Sequence, residues 1–131
     1  MSEPVFLTIE QIKILHQMAL ERHGGQEGIR DAAMLESAAV QPCNVWLYAQ
    51  GGLFDIAAAY AFHVAEAQAF VDGNKRTGIA AALVFLEGNG VTVPEATEEL
   101  YQAMIEIAEH RLDKKGLADL LRRLCRDIAG A

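Results

Sequence analysis

Acidic, amide and basic side chains stand next to one another in one short polar segment of this 131-residue chain, between two apolar stretches. The segment reads Phe70-Val71-Asp72-Gly73-Asn74-Lys75-Arg76-Thr77. Residues 74–77 are predicted to form the first turn of a helix, where unpaired backbone N–H groups and the positive end of the helix dipole attract anions. Lys75 and Arg76 oppose that dipole unless an anion compensates them, and a phosphate would do so.

The same segment contains a candidate metal ligand, Asp72. Magnesium prefers one or two carboxylates together with phosphate oxygens, so Asp72 could hold the ion that a polyphosphate brings. Gly73 permits backbone angles or close approaches that a side chain would forbid, and Phe70 can anchor the loop in the core. The residues therefore predict a site for a nucleoside triphosphate with magnesium. The alternative is an ordinary helix start, with Asp72 as its cap and the cations solvated.

The elements that position this segment are all predicted to be helices, because apolar residues recur at helical spacing almost throughout. The first helix is predicted to begin near Thr8, which opens a T-x-x-Q capping box, and to end before Gly24-Gly25. The second fits Asp31–Val40, with Asp31 as its cap. Pro42 is expected to forbid its continuation, which leaves Trp46 in a loop.

Four more helices complete the prediction, and they fit Leu53–Ala69, Lys75–Glu87, Glu95–Glu109 and Lys115–Ile128. The first of these is rich in alanine and apolar on nearly all sides, which is typical of a central helix with neighbours on several faces. The predicted fold class is all-α, a compact bundle of about six helices in which residues 1–131 form a single domain.

Composition and charge restrict the classes of function. The net charge is −7, so the chain has no overall attraction to a phosphate backbone, and no direct nucleic-acid partner is expected. No segment approaches the ~18 apolar residues of a membrane span, and the N-terminus has no basic secretory region. Cys43 and Cys125 lack the spacing of a metal clip or redox pair and are expected to be packing residues. We therefore expect a cytoplasmic protein with no membrane partner.

The polar segment and its flanks resemble the Fic/Doc superfamily. The Fic pattern is H-P-F-x-[DE]-G-N-G-[RK]-x-x-R, and the death-on-curing (Doc) variant is H-x-F-x-D-[AG]-N-K-R-T. This chain matches the Doc variant from Phe70 to Thr77 and departs from it only at the histidine, where it has Gln68. The R-x-G-G at Arg22–Gly25 and the stretches LFDIAAAYAFHVA and AALVFLEGNGV are also typical, so the resemblance covers most of the chain.

The resemblance implies a protein-modifying transferase that uses ATP and Mg²⁺. Fic enzymes transfer AMP to a hydroxyl, whereas Doc-type toxins transfer the γ-phosphate to a threonine of translation elongation factor Tu and halt protein synthesis. Lys75 replaces the second glycine of the Fic pattern and Ile79 its last arginine, as in Doc, which favours phosphate transfer. The resemblance further implies that Asp72 holds magnesium and that Asn74, Lys75 and Arg76 cradle the phosphates at the helix N-terminus.

The resemblance also implies a partner, a small antitoxin that inserts a helix or peptide beside the active site. Some Fic proteins instead have their own inhibitory helix with the pattern [ST]-x-x-x-E-[GN]. Here Glu87-Gly88 ends that pattern correctly, but Leu83 stands where Ser or Thr is required. Inhibition is therefore expected from a second polypeptide.

Gln68 occupies the position of the family's general base, the histidine that takes a proton from the attacking hydroxyl. Glutamine can hold a hydrogen bond but cannot accept a proton near neutral pH, and a lost general base lowers the rate by about 10²–10⁴. The chain is therefore expected to bind nucleotide and magnesium yet transfer poorly. His63 is not expected to substitute, since five residues along a helix place it about 140° away around the axis, and a packing role is predicted for it.

Two explanations of Gln68 follow. The chain could be a nucleotide-binding pseudoenzyme or interaction protein that has drifted to glutamine, or a toxin disarmed by a deliberate or recent replacement. The intact segment from Asp72 to Thr77 favours the second, because a decayed site would have lost more than one residue.

Overall fold

The helical content of the chain agrees with the prediction. The structure, a computed structural model, describes residues 3–95 and 97–129, with side chains as far as Arg126. Over these residues it consists of six α-helices and no strand, which confirms the all-α class: α1 (Ile9–His23), α2 (Ala32–Tyr48), α3 (Leu53–Ala67), α4 (Asn74–Gly88), α5 (Thr97–Ala108) and α6 (Lys114–Ala129). Within residues 3–95 and 97–129, no helix combines the length and the apolar character that crossing a membrane requires.

The first two helices begin at the caps that the sequence predicts. The Thr8 hydroxyl accepts a hydrogen bond from the Gln11 backbone at 3.1 Å, and the Gln11 side chain accepts one from the Thr8 backbone at 2.8 Å, so the capping box is formed. The Asp31 carboxylate accepts from the Met34 backbone at 3.1 Å. Each cap satisfies N–H groups that a helix start would otherwise leave unpaired.

The prediction that α2 ends before Pro42 is wrong, because α2 continues through this proline to Tyr48 and includes Trp46. A proline inside a helix removes one backbone hydrogen bond and costs about 3 kcal/mol. The residues beyond it offset that loss by burial, since Val45 and Trp46 pack against the hydrophobic core and the proline itself is buried. Full burial of an apolar side chain contributes roughly 1.5–3 kcal/mol, so partial burial of these two side chains together with burial of the proline is of the same size as the loss and keeps the last turns helical.

Helix α3 is the centre of the bundle, as predicted. It packs against α2, α4, α5 and α6, and five consecutive residues from Ile56 to Tyr60 are fully buried. Alanines at three of these positions let neighbouring helices approach from several directions. The Tyr60 hydroxyl accepts a hydrogen bond from the Leu7 backbone at 2.8 Å, which ties the N-terminal segment to the core.

Both cysteines are free thiols. Cys125 is buried in the hydrophobic core, and Cys43 is half-buried on α2. Burial raises the pKa of both thiols, and the nearby Glu3 carboxylate raises that of Cys43 further. A raised pKa keeps a thiol protonated and unreactive at neutral pH, which agrees with the predicted packing role.

Candidate active site

An open cavity of about 580 Å³ lies where α3 ends and α4 begins. Six of the residues singled out in the sequence line it, namely Gln68, Asp72, Gly73, Asn74, Lys75 and Arg76. The end of α1 adds His23, Gly24 and Gly25, and α5 adds Tyr101. Phe70 lies beneath the loop and is only 2% exposed. The structure thus gathers the predicted site residues into one cavity and places the predicted anchor in the core.

The first turn of α4 is left open toward ligands by the residue that caps it. Gly73 is the N-cap, in the left-handed conformation at φ 78°, and it supplies no side-chain acceptor to the N–H groups that follow. The Gly73 carbonyl accepts two hydrogen bonds from Thr77, one from its backbone at 2.9 Å and one from its hydroxyl at 2.8 Å. Thr77 is fully buried, so it packs and does not face the cavity.

Asp72 does not cap α4, in contrast to the alternative interpretation of the sequence. One carboxylate oxygen accepts from the Gly73 backbone at 2.9 Å, and the other accepts from the Gln26 backbone at 3.2 Å. A Cβ atom at Gly25 would lie 2.9 Å from the second oxygen. The carboxylate is therefore held at the cavity, between the segment after α1 and the start of α4. Position 25 of that segment requires glycine, because a side chain there would meet the carboxylate.

The donor set around Asp72 fits magnesium better than a metal held by protein ligands alone. In the part of the chain that the structure describes, no three His, Cys, Asp or Glu side chains form a group that could hold a metal ion. Magnesium is commonly bound by one or two carboxylates, with waters and substrate phosphates completing its shell. A single exposed carboxylate beside a cavity of about 580 Å³ meets that requirement.

Asn74 has a structural role that the sequence did not indicate. Its side-chain oxygen accepts from the Phe70 backbone N–H at 3.1 Å, and its side-chain nitrogen donates to the Phe70 carbonyl at 3.0 Å. The side chain thus closes the loop from residue 70 to residue 74. Since both of its polar atoms contact the loop, its contribution to phosphate binding would come through its backbone N–H at the first turn of α4.

The two cations of the segment have different surroundings. The Arg76 guanidinium lies 3.0 Å from the Glu98 carboxylate and 3.9 Å from the centre of the Tyr101 ring. Lys75 makes no ion pair within 4.0 Å with any side chain between Glu3 and Arg126 that the structure describes. Glu98 therefore already compensates Arg76, and the expectation of a bound anion stays a prediction that concerns mainly Lys75.

The backbone at Gln68 is held in an uncommon conformation. Gln68 ends α3 in the left-handed region at φ 47° and ψ 41°. Its carbonyl oxygen accepts from the Arg30 guanidinium at 2.7 Å, and the next carbonyl, that of Ala69, accepts from the Arg30 and Asp31 backbones at 2.7 and 3.0 Å. The segment before α2 thereby fixes the direction in which the side chain at position 68 leaves the main chain.

His63 lies away from the cavity, as its position on α3 predicts. It is half-buried, and its Nε2 atom lies 3.1 Å from the Lys114 ammonium on α6. Burial, together with the Lys114 charge, lowers the pKa of His63 to about 4. The imidazole is therefore neutral at physiological pH and accepts a hydrogen bond from Lys114, which is a packing role.

Sequence reasoning missed several residues that surround the site. His16 on α1 is buried, stacks on Phe70 with ring centres 3.8 Å apart, and lies 2.8 Å from the Asp72 carbonyl oxygen. Arg30 and Glu98 act on Gln68 and Arg76 from distant parts of the chain. None of these residues belongs to a local motif, so only the tertiary arrangement identifies them.

Comparison with known proteins places the chain in a family. A model of the Fic/DOC family matches residues 6–86, which include all the site residues predicted from the sequence. The chain is 33% identical over 116 residues to Protein kinase doc of Escherichia phage P1, over 88% of this chain and 91% of that protein. It is 44% identical over 71 residues to Toxin Doc of Mycolicibacterium smegmatis, over 52% of this chain and 54% of that protein. The chain belongs to the Fic/DOC family.

Proposed function

We propose that this chain is the toxin of a toxin–antitoxin pair, with a site built to transfer the γ-phosphate of ATP to a threonine of translation elongation factor Tu. The observation that carries the proposal is the convergence of Asp72, Lys75 and Arg76 on one open cavity at the start of α4, where no side chain caps the helix. The names of two relatives support the proposal, since one is called a protein kinase and the other a toxin.

Each charged group of the cavity has a role in binding ATP. Lys75 acts as a point charge on the phosphates, and the Arg76 guanidinium can bind phosphate oxygens through two parallel hydrogen bonds. Asp72 would hold Mg²⁺, which neutralises phosphate charge when it is bound. Phosphoryl transfer depends mainly on positioning and charge stabilisation, which these groups supply without covalent chemistry.

Gln68 limits the rate of phosphate transfer at this site. It lines the cavity at the position where the target hydroxyl would be activated, and its amide can orient that hydroxyl through a hydrogen bond. An amide cannot take the proton away near neutral pH. Transfer by this chain is therefore about 10²–10⁴ slower than with a histidine at the same position, while binding of ATP and Mg²⁺ is retained.

Two other functions use the same cavity. Fic-type AMP transfer is disfavoured because Ile79, at the position of the last Fic arginine, is 4% exposed and offers no cation to the phosphates. A nucleotide-binding pseudoenzyme or interaction protein is favoured by Gln68 alone. The mass of the group added to a target protein separates these functions from phosphate transfer.

The antitoxin partner is proposed to bind an apolar groove beside the active site. A cavity of about 280 Å³ lies between α1 and α4, with Leu15 and Met18 on one side and Leu83 and Val84 on the other. Met18 and Val84 are 56% and 38% exposed, which is unusual for large apolar side chains that lie together. Arg76 lines both this groove and the active-site cavity, so a helix seated in the groove would reach the phosphate site.

Calorimetric titration of the chain with ATP and Mg²⁺ tests the nucleotide site. Replacement of both Lys75 and Arg76 by alanine is expected to weaken binding by at least about 150-fold, because hydrogen bonds to charged groups contribute roughly 1.5–3 kcal/mol each. The matched control replaces Lys115 and Arg123, two exposed cations on α6, and should leave the affinity unchanged. Equal affinity of the two double variants for ATP and Mg²⁺ would contradict the proposed nucleotide site.

The groove is tested by titration with the purified antitoxin. Met18→Glu should weaken the complex, because it places a charge in the apolar groove. Val40→Glu on α2 is the control, since Val40 is similarly exposed, at 52%, but lies outside the groove. A complex weakened equally by both variants would place the antitoxin elsewhere.

A further inference from the structure

His16 is a buried polar residue that the proposed reaction does not use. It lies on α1 at 5% exposure, 56 residues before Asp72 in the sequence, yet its Nε2 atom is 2.8 Å from the Asp72 carbonyl oxygen. A carbonyl oxygen can only accept a hydrogen bond, so Nε2 must be the protonated nitrogen of the ring. His16 is thus a donor from α1 to the main chain of the active-site loop.

The His16 ring is held in place by two residues of the loop, Phe70 and Gly73. Its plane is nearly parallel to that of Phe70, with 8° between the planes and 3.8 Å between ring centres. A Cβ atom at Gly73 would lie 3.6 Å from the ring, so the loop passes directly over its edge. The imidazole therefore supports the loop at Phe70, Asp72 and Gly73 together.

The hydrogen bond from His16 determines the direction of the Asp72–Gly73 peptide. In a trans peptide the carbonyl oxygen and the following N–H point in opposite directions. Because His16 holds the Asp72 oxygen toward α1, the Gly73 N–H points away from α1. That N–H donates to the Asp72 carboxylate at 2.9 Å. A donor on α1 thus orients the side chain that lines the cavity.

We propose that His16 is a positioning residue for the phosphate and magnesium site. It fixes the Asp72–Gly73 peptide, and through it the direction of the Asp72 carboxylate and the start of α4. This role for ligand binding rests on the proposed function, whereas the control of loop geometry does not. His16 touches neither substrate nor metal in this account.

Two variants distinguish the contribution of the hydrogen-bond donor of His16 from that of its aromatic ring. His16→Phe keeps a flat ring against Phe70 but removes the donor, and His16→Gln keeps an N–H group at similar reach but removes the ring. Two readouts are taken on the full chain: hydrogen exchange of the Gly73 amide by NMR, and affinity for ATP with Mg²⁺ by calorimetry. Thermal midpoints of both variants are measured alongside, with His16→Leu as a second donor-free variant if His16→Phe does not fold.

The proposal predicts that loss of the donor matters more than loss of the ring. His16→Phe should speed Gly73 exchange and weaken ATP–Mg²⁺ binding by roughly tenfold each, since the Asp72 carbonyl in this part-buried contact is left without its donor. His16→Gln should keep both within about threefold of the unaltered chain, even where its thermal midpoint is lower.

Two results would overturn the proposal. One is a His16→Phe variant with unchanged Gly73 exchange, and the other is a change in both variants that follows their thermal midpoints, as a purely structural role would give. If the unaltered chain binds no ATP, the proposed function fails, but the exchange rates of the two variants still decide whether His16 positions the loop.

Discussion

Gly78 of α4 crosses α3 at Ala61 so closely that a Cβ atom added to Gly78 would lie 2.6 Å from the Ala61 carbonyl oxygen. Both groups are part of a helix, so neither can move without the helix that contains it. Gly78 is five residues after the N-cap Gly73. The crossing therefore fixes the distance between the first turn of α4 and the end of α3. The separation between Gln68 and the first turn of α4, the proposed phosphate site, depends on this contact.

Gly78→Ala is expected to destabilise the fold by about 1–3 kcal/mol, because the added methyl group forces two helices apart. Gly88→Ala is the matched control at the other end of α4, where a Cβ atom would meet nothing within 4 Å. Alanine is the better helix former, so Gly88→Ala should be neutral or slightly stabilising. Urea unfolding measures both variants, and equal stability of the two would contradict the close crossing.

Glu98 is expected to compete with a bound phosphate for Arg76, with which it forms an ion pair. Glu98→Gln removes the carboxylate that lies 3.0 Å from the guanidinium, and the affinity for ATP with Mg²⁺ is expected to rise by about two- to fivefold, the range of an exposed ion pair. Glu99→Gln changes the neighbouring exposed acid and serves as the control for overall charge. A lower affinity in Glu98→Gln would instead mean that Glu98 holds Arg76 in the binding position.

His63 makes the stability of the protein depend on pH. Its pKa is lowered to about 4 in the folded state, against about 6.5 in an unfolded chain. Between these values the unfolded state binds the additional proton, so the free energy of unfolding falls as the pH falls from about 6.5 to 4. Because the side chain is half-exposed, solvent screening reduces the effect to the order of 1 kcal/mol.

The His63 prediction is measured by urea unfolding at pH 7 and pH 5. His63→Gln keeps an acceptor for Lys114 but does not titrate, and it should therefore lose less stability than the unaltered chain on acidification. Equal losses in the two proteins would show that another group causes the pH dependence.

Local patterns predict much of this fold because local interactions decide it. The capping box at Thr8 and the cap at Asp31 are satisfied within one turn of the helices that they begin. The apolar character of the stretch after Leu53 identifies the central helix. Pro42 misled the prediction because its local penalty is offset by the packing of Val45 and Trp46, and that packing depends on distant parts of the chain.

The candidate site also combines residues that a local pattern predicts with residues that it does not. The segment from Asp72 to Arg76 is local, and its spacing predicts a phosphate site without any structure. The residues that orient it are not local: His16 and Arg30 lie 56 and 38 residues before their partners, and Glu98 lies 22 residues after Arg76. Only the packing of α1, the segment before α2 and α5 around the loop reveals them.

We propose that this chain has a phosphate-transfer site disabled at position 68. The most direct test is the intact mass of elongation factor Tu after incubation with ATP, Mg²⁺ and either the unaltered chain or Gln68→His. A phosphate-sized addition is expected with Gln68→His, and little or none with the unaltered chain. An AMP-sized addition, or no addition by Gln68→His, would contradict it.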